Sequence, residues 1–197
     1  MAIQNPIELQ SKGNGGYKLK KSKERWKILI LRPREYREIV KQCDRRHQII
    51  FSCLLLTGMR YQELVRFRQH REWYDDKQFI HLPAGLGERK VKRTDPERWI
   101  RLSYMGRQAI ESLFDVQLPS IQSLNQYVKY TFSIPHFSMK TFRKTYESWL
   151  VFYFDGKERQ IAQSQGHDTW TQFEHYLNLP FTEEDKLEMK EFVEGWI

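Results

Sequence analysis

Residues 48–64 read QIIFSCLLLTGMRYQEL. The first nine of these are apolar nearly all round, the mark of a helix enclosed by protein on every side. Thr57-Gly58 ends that helix, because a glycine at a helix terminus can take a left-handed conformation and turn the chain sharply. A further helix follows through Leu64 and Val65. The turn mounts Arg60 rigidly, straight after a buried helix, with Glu63 three residues on and within reach of its guanidinium. Taken alone, such a pair reads as a surface ion pair.

Outward from this stretch the chain stays mainly helical. Pro33 suits a first helical position, and Tyr36, Ile39, Val40 and Cys43 follow at amphipathic spacing. FIHL at 79–82 and RWIRL at 98–102 form a candidate hairpin around the charge- and turn-rich GLGERKVKRTDPE. Ser103, Ser120 and Ser138 are expected N-caps, the first two for helices over 104–114 and 121–130. In the helix after Ser138, Phe142, Tyr146, Trp149, Leu150 and Tyr153 make an apolar stripe. Short helices are expected near 157–165 and 169–177, and a last one at 183–196, where Thr182 and Asp185 approximate a capping box. The fold class is mainly α with a small antiparallel β-hairpin. Three parts are expected: a basic arm or linker over 1–30, a main helical domain over 31–180, and an acidic amphipathic helix over 181–197. On that helix Met189, Phe192, Val193 and Trp196 form a narrow stripe, expected to serve assembly with a neighbouring protomer or to fold back on its own domain.

With 197 residues, 40% of them hydrophobic, the chain can build a sizeable core. The net charge of +8 is uneven: residues 1–30 carry seven Lys/Arg against two acids, whereas residues 181–197 carry two against six. A basic body fits a polyanion, most simply nucleic acid. Cys43 and Cys53 lie in apolar helical stretches and show no metal-ligand spacing, so buried free thiols and a cytoplasmic setting are expected. The opening MAIQNPIELQ lacks the regions of a signal peptide, and no apolar run approaches the roughly 20 residues needed to span a membrane.

Two more stretches carry chemistry. KTFRKT at 140–145 puts Lys140 and Arg143 on one helix face, three residues apart. QGHDTWTQFEHYLNL at 165–179 places Gly166 before His167, with Tyr176 nine residues further on. Together with TGMRYQEL at 57–64, the ordered set closely resembles the tyrosine recombinase family. That family has boxes resembling T-G-hydrophobic-R-x-x-E-L, then (H/K)-x-x-R-(H/K)-T, then G-H followed by the nucleophilic Tyr. Each box is weak by itself; content, order and spacing together are specific. The resemblance covers roughly residues 31–180.

The resemblance implies that Arg60 and Arg143 clamp a scissile phosphate. It implies that Tyr176 attacks to form a 3′-phosphotyrosyl bond, and that His167 and Lys140 fill further catalytic positions. A lysine in the hairpin turn completes the set, with Lys92 the first choice and Lys90 the second. Those residue types suit the reaction: paired guanidinium forks neutralise charge on the phosphate, and the covalent link conserves the phosphodiester, so neither cofactor, metal nor ATP is expected. Implied partners are double-stranded DNA and further copies of the chain, as a tetramer on paired sites. Alternatives are a type IB topoisomerase-like enzyme and a non-catalytic DNA-binding protein on the same fold.

The sequence departs from the family pattern in three ways. Lys140 stands where many members have His, and a protonated Lys is suited to contacting phosphate rather than taking a proton. Gln165 replaces a common Leu, a change expected to affect packing only. About 30 residues precede the catalytic region where members usually carry a core-binding domain, as an excised fragment or a short member would show. The remaining histidines, His47, His70, His81, His136 and His175, read as surface or packing residues.

Overall fold

The computed structural model describes residues 17–20, 27–84, 97–166 and 181–197. Strands β1 (Tyr17–Lys20) and β2 (Lys27–Ile30) pair antiparallel, with Tyr17 opposite Ile30. Helices α1 (Pro33–Lys41), α2 (Arg45–Thr57) and α3 (Tyr61–Gln69) follow. Next come β3 (Phe79–Leu82) and β4 (Arg98–Arg101), antiparallel with Phe79 opposite Arg101. Helices α4 (Tyr104–Leu113), α5 (Ile121–Phe132), α6 (Met139–Tyr153), α7 (Glu158–Gln165) and α8 (Glu183–Val193) complete the described elements. The fold is mainly α with the expected small hairpin.

Helix α2 runs through the centre, packed between α4 and α6. Ile50, Phe51 and every residue from Cys53 to Thr57 are buried, which is what its unbroken apolar run demands. Asp44 caps its start by accepting from the His47 N–H at 3.0 Å. Ser103 and Ser120 cap α4 and α5 in the same manner, accepting from Gly106 and Ser123. Cys43 and Cys53 are buried free thiols.

Residues 1–30, expected as an arm, contain both strands of the first sheet, and regular structure begins well before Pro33. The cause is β2, which packs on α6 and carries Leu29 and Ile30 fully into the core. Leu31 just beyond it donates its N–H to Thr145 Oγ1 at 3.0 Å, and its carbonyl accepts from Trp149 Nε1 at 2.9 Å. The apolar run ILIL at 28–31 was hidden in the sequence by the basic residues around it.

Helix α8 is part of the same core. Met189, Phe192, Val193 and Trp196, the stripe expected to serve assembly or to fold back on its own domain, are all buried against α6, α4 and α1 of their own chain. The Phe192 ring meets those of Trp149 and Tyr36 at 5.1 and 5.6 Å. The acidic residues outside the stripe meet the basic face of α1: Arg37 bonds Glu188 at 2.8 Å and Glu191 at 2.7 Å. Burial of apolar area within the chain, not a partner, accounts for the stripe. Among the described residues no helix is long and apolar enough to cross a membrane.

Candidate active site

Five chain segments converge where α2 and α7 end. Helix α2 stops at Gly58, whose φ of 62° is left-handed. Thr57 Oγ1 donates to the Cys53 carbonyl at 2.6 Å and accepts from the Met59 N–H at 3.1 Å, while the Met59 side chain plugs the core. The chain is thus locked before Arg60, which opens α3 in extended conformation. Glu63, one turn on, accepts from the Arg60 backbone N–H at 2.7 Å and from its Nη1 at 2.8 Å. The sequence placed Glu63 as the orienting partner, and the structure agrees.

Glu63 also holds a second guanidinium. Arg98, the first residue of β4, is 6% exposed and donates Nη2 to Glu63 Oε2 at 2.6 Å. Its Nη1 reaches the Gln165 carbonyl at 2.9 Å. Burial lowers the Arg98 pKa to about 10, opposed by Glu63 and aided by Arg143 and Arg60, so the group remains a cation at neutral pH. Burial pushes the Glu63 carboxyl up, but Arg98, the Arg60 N–H, Arg143 and Arg60 together outweigh it and hold the carboxyl below its ordinary value. Arg98 was missed as a site residue. Its signal was the period-two pattern of RWIR, which puts Arg98 on the same inward face as Ile100.

Arg143 rises from α6, is 7% exposed, and donates Nη1 to the Gly58 carbonyl at 2.7 Å and Nη2 to the Gln165 carbonyl. Two helix C-termini, each the negative end of its macrodipole, therefore face buried guanidiniums. The chain leaves α7 through Gly166, with φ of 66° and a position where a Cβ would lie 2.7 Å from Arg98 Nη1. The next residue is His167. A cavity of about 550 Å³ borders the cluster, with Arg98, Trp99, Arg101, Gln163 and Gly166 among its lining. Lys140 lies exposed on the first turn of α6, one turn before Arg143.

The structure brings together Arg60 and Arg143, linked through Glu63, Arg98 and the Gln165 carbonyl, and puts Lys140 on the helix that carries Arg143. His167, Tyr176, Lys90 and Lys92 lie outside the described residues, as does the helix expected near 169–177. Of the other histidines, three have definite partners that the sequence did not suggest. His47 meets Asp44 at 2.6 Å, His70 meets Glu72 at 2.8 Å and His81 meets Glu97 at 2.6 Å; each also stacks on an aromatic ring.

No protein-family model and no curated protein matches the sequence. Solved structures do match the fold. The Tn1549 transposon integrase in complex with circular intermediate DNA superposes with a TM-score of 0.58 at 16% identity, covering 82% of this chain and 64% of that one. The crystal structure of XerA recombinase gives 0.59 at 19% identity, covering 83% of this chain and 64% of that one. Both are tyrosine recombinases. The chain thus spans about 64% of the length of these two proteins, and what it shares with them is a fold.

Proposed function

We propose that this chain, which carries the tyrosine recombinase catalytic-domain fold, cuts and rejoins DNA at specific sites through a covalent bond to Tyr176. The observation that carries the reading is the arginine cluster. Arg60 and Arg143, singled out by their sequence boxes, converge through Glu63 and Arg98 at the point where the chain runs into His167.

A phosphodiester is an anion, and attack on it concentrates charge on its non-bridging oxygens. Rigidly held guanidinium forks favour that charge without reorganising. In the reaction we propose, the Tyr176 oxygen forms a bond to phosphorus and the bond to the 5′ oxygen breaks. The leaving oxygen takes a proton from a lysine of the hairpin turn, with Lys92 assigned ahead of Lys90. Rejoining runs the same steps backwards with a 5′ hydroxyl as nucleophile. The Tyr176 hydroxyl gives its proton to His167 as the bond to phosphorus forms, and Lys140 contacts the phosphate. The net charge of +8 suits double-stranded DNA, and exchange between two sites would assemble four copies.

Tyr176→Phe tests the reading. Incubated with duplex DNA nicked near the cleavage site, the parent is expected to form a denaturation-resistant adduct. The variant is expected to bind DNA nearly as well and form none. A normal adduct yield from the variant would sink the assignment. Arg143→Ala is expected to slow adduct formation by about 100-fold or more.

A further inference from the structure

Gln165 is expected to be mere packing, and the structure makes that hard to sustain. Its side chain is 1% exposed, and among the described residues neither Nε2 nor Oε1 has a hydrogen-bond partner. The amide lies against the α2 terminus: a Cβ built on Gly58 would collide with Oε1 and sit 2.7 Å from both Cδ and Nε2. A leucine would fill the same seam without burying an unmade hydrogen bond, so the amide works against the stability of the free protein. A buried unpaired polar group calls for a reason.

The reason lies in what Arg143 does beside it. Both of its terminal nitrogens donate to carbonyls, Nη1 to Gly58 and Nη2 to Gln165. Each of these nitrogens carries a second hydrogen, but a bidentate grip on an anion through the hydrogens that now face the carbonyls takes at least one of the two bonds away. The carbonyl left behind is buried and loses its bond. The Gln165 amide already lies against Gly58, and among the described residues its donor has no partner.

We propose that Gln165 is a positioning residue that exchanges with Arg143 on the Gly58 carbonyl. In the free protein Arg143 rests on the two carbonyls and the amide is unpaired. When Arg143 turns to the phosphate, Gln165 Nε2 donates to the Gly58 carbonyl in its place. The number of unmet hydrogen bonds then does not rise as the anion binds, and the α2 turn that mounts Arg60 keeps its shape. This rests on the reading of the site as a phosphate clamp.

The test uses the full chain with Gln165→Leu and, as a second apolar variant of similar length, Gln165→Met. Thermal melting is followed in chloride and in inorganic phosphate, and adduct formation on nicked duplex is timed in a single turnover. Phosphate raises the melting temperature of most proteins by exclusion from their surface, an effect common to parent and variants, so the difference between them is what counts. Both variants are expected to melt about 2–4 °C higher than the parent in chloride. They are expected to gain less from phosphate and to form adduct about tenfold more slowly. Replacing a purely structural glutamine would not raise stability and lower the rate together. Variants that melt lower, or that keep the parent rate, overturn the proposal. A parent that forms no adduct overturns the phosphodiester reading instead. The phosphate-dependent melting difference then decides on Gln165: its loss in the variants upholds the exchange, and its persistence rejects it.

Discussion

The arginine cluster and the α8 seam bury charge and apolar surface in opposite proportions. At the cluster, Arg98, Arg143 and Glu63 are all 6–7% exposed, and helix-end carbonyls rather than apolar side chains surround them. At the seam, Met189, Phe192, Val193 and Trp196 are buried, while most of the ion pairs stand at the rim, as Arg37 does with Glu188 and Glu191. A hydrophobic seam stabilises in proportion to the area it removes from water. A buried ionic cluster contributes little net stability, because desolvation offsets its Coulomb energy, yet it is expensive to break. The seam holds the fold together, and the cluster holds cations where a ligand's charge can use them.

Removing residues 181–197 should produce the largest effect. Each large apolar side chain lost from the seam takes roughly 1.5–3 kcal/mol with it, against a total stability of about 5–15 kcal/mol. The shortened chain is therefore expected to lose cooperative melting by circular dichroism. A folded truncated protein would show that the seam is dispensable and return the helix to a role between protomers.

Next in size is Glu63→Ala, which leaves the buried Arg98 without its carboxylate at a cost of about 3–5 kcal/mol. Urea unfolding measures it. The same residue sets an acid limb. Its folded pKa lies below the ordinary 4.5, so its contribution is present above that value and is lost as pH falls through the lowered one. Glu63→Gln should flatten that limb.

Near the seam the sign reverses. Burial raises the Glu35 carboxyl from 4.5 to about 7, opposed by the Arg32 N–H, which donates to it at 2.7 Å, and by the Arg32 charge. A raised folded pKa gives stability that is complete below 4.5 and disappears as pH rises through about 7. Glu35→Gln keeps the acceptor and removes the ionisation, so the variant should gain on the order of 1 kcal/mol on the parent as pH rises from 4 to 8. That figure is well below the full pKa difference because the carboxyl is only part-buried. Melting temperature against pH for the parent, Glu35→Gln and Glu63→Gln would separate the two regions directly.

The smallest expected effect is Arg37→Ala. Its pairs with Glu188 and Glu191 are half-exposed, and such pairs are worth about 0–1 kcal/mol each. Its guanidinium also lies 5.2 Å from the Phe192 ring centre, so some lost packing adds to the change. A loss above about 3 kcal/mol in urea unfolding would mean that the rim ion pairs, and not the apolar stripe, secure α8.

The sequence alone determined the helices among the described residues, because their signals are local. The nearly all-apolar QIIFSCLLL gave a central helix, Ser103 and Ser120 capped theirs, and alternation in FIHL and RWIRL gave the hairpin. It also determined that Arg60 and Glu63 would pair, since they are one turn apart. Tertiary structure alone decided where the α8 stripe would bury itself: an amphipathic helix shows that it needs an apolar partner, never which one. It alone drew Arg98 into the site, through Glu63 at 35 residues' separation and the Gln165 carbonyl at 67. It alone set the Gln165 carbonyl under two guanidiniums and its amide against Gly58. Periodicity reports which face of an element turns inward. What meets that face depends on chain closure over long separations, and a buried charge or amide acquires its meaning only from the group it meets there.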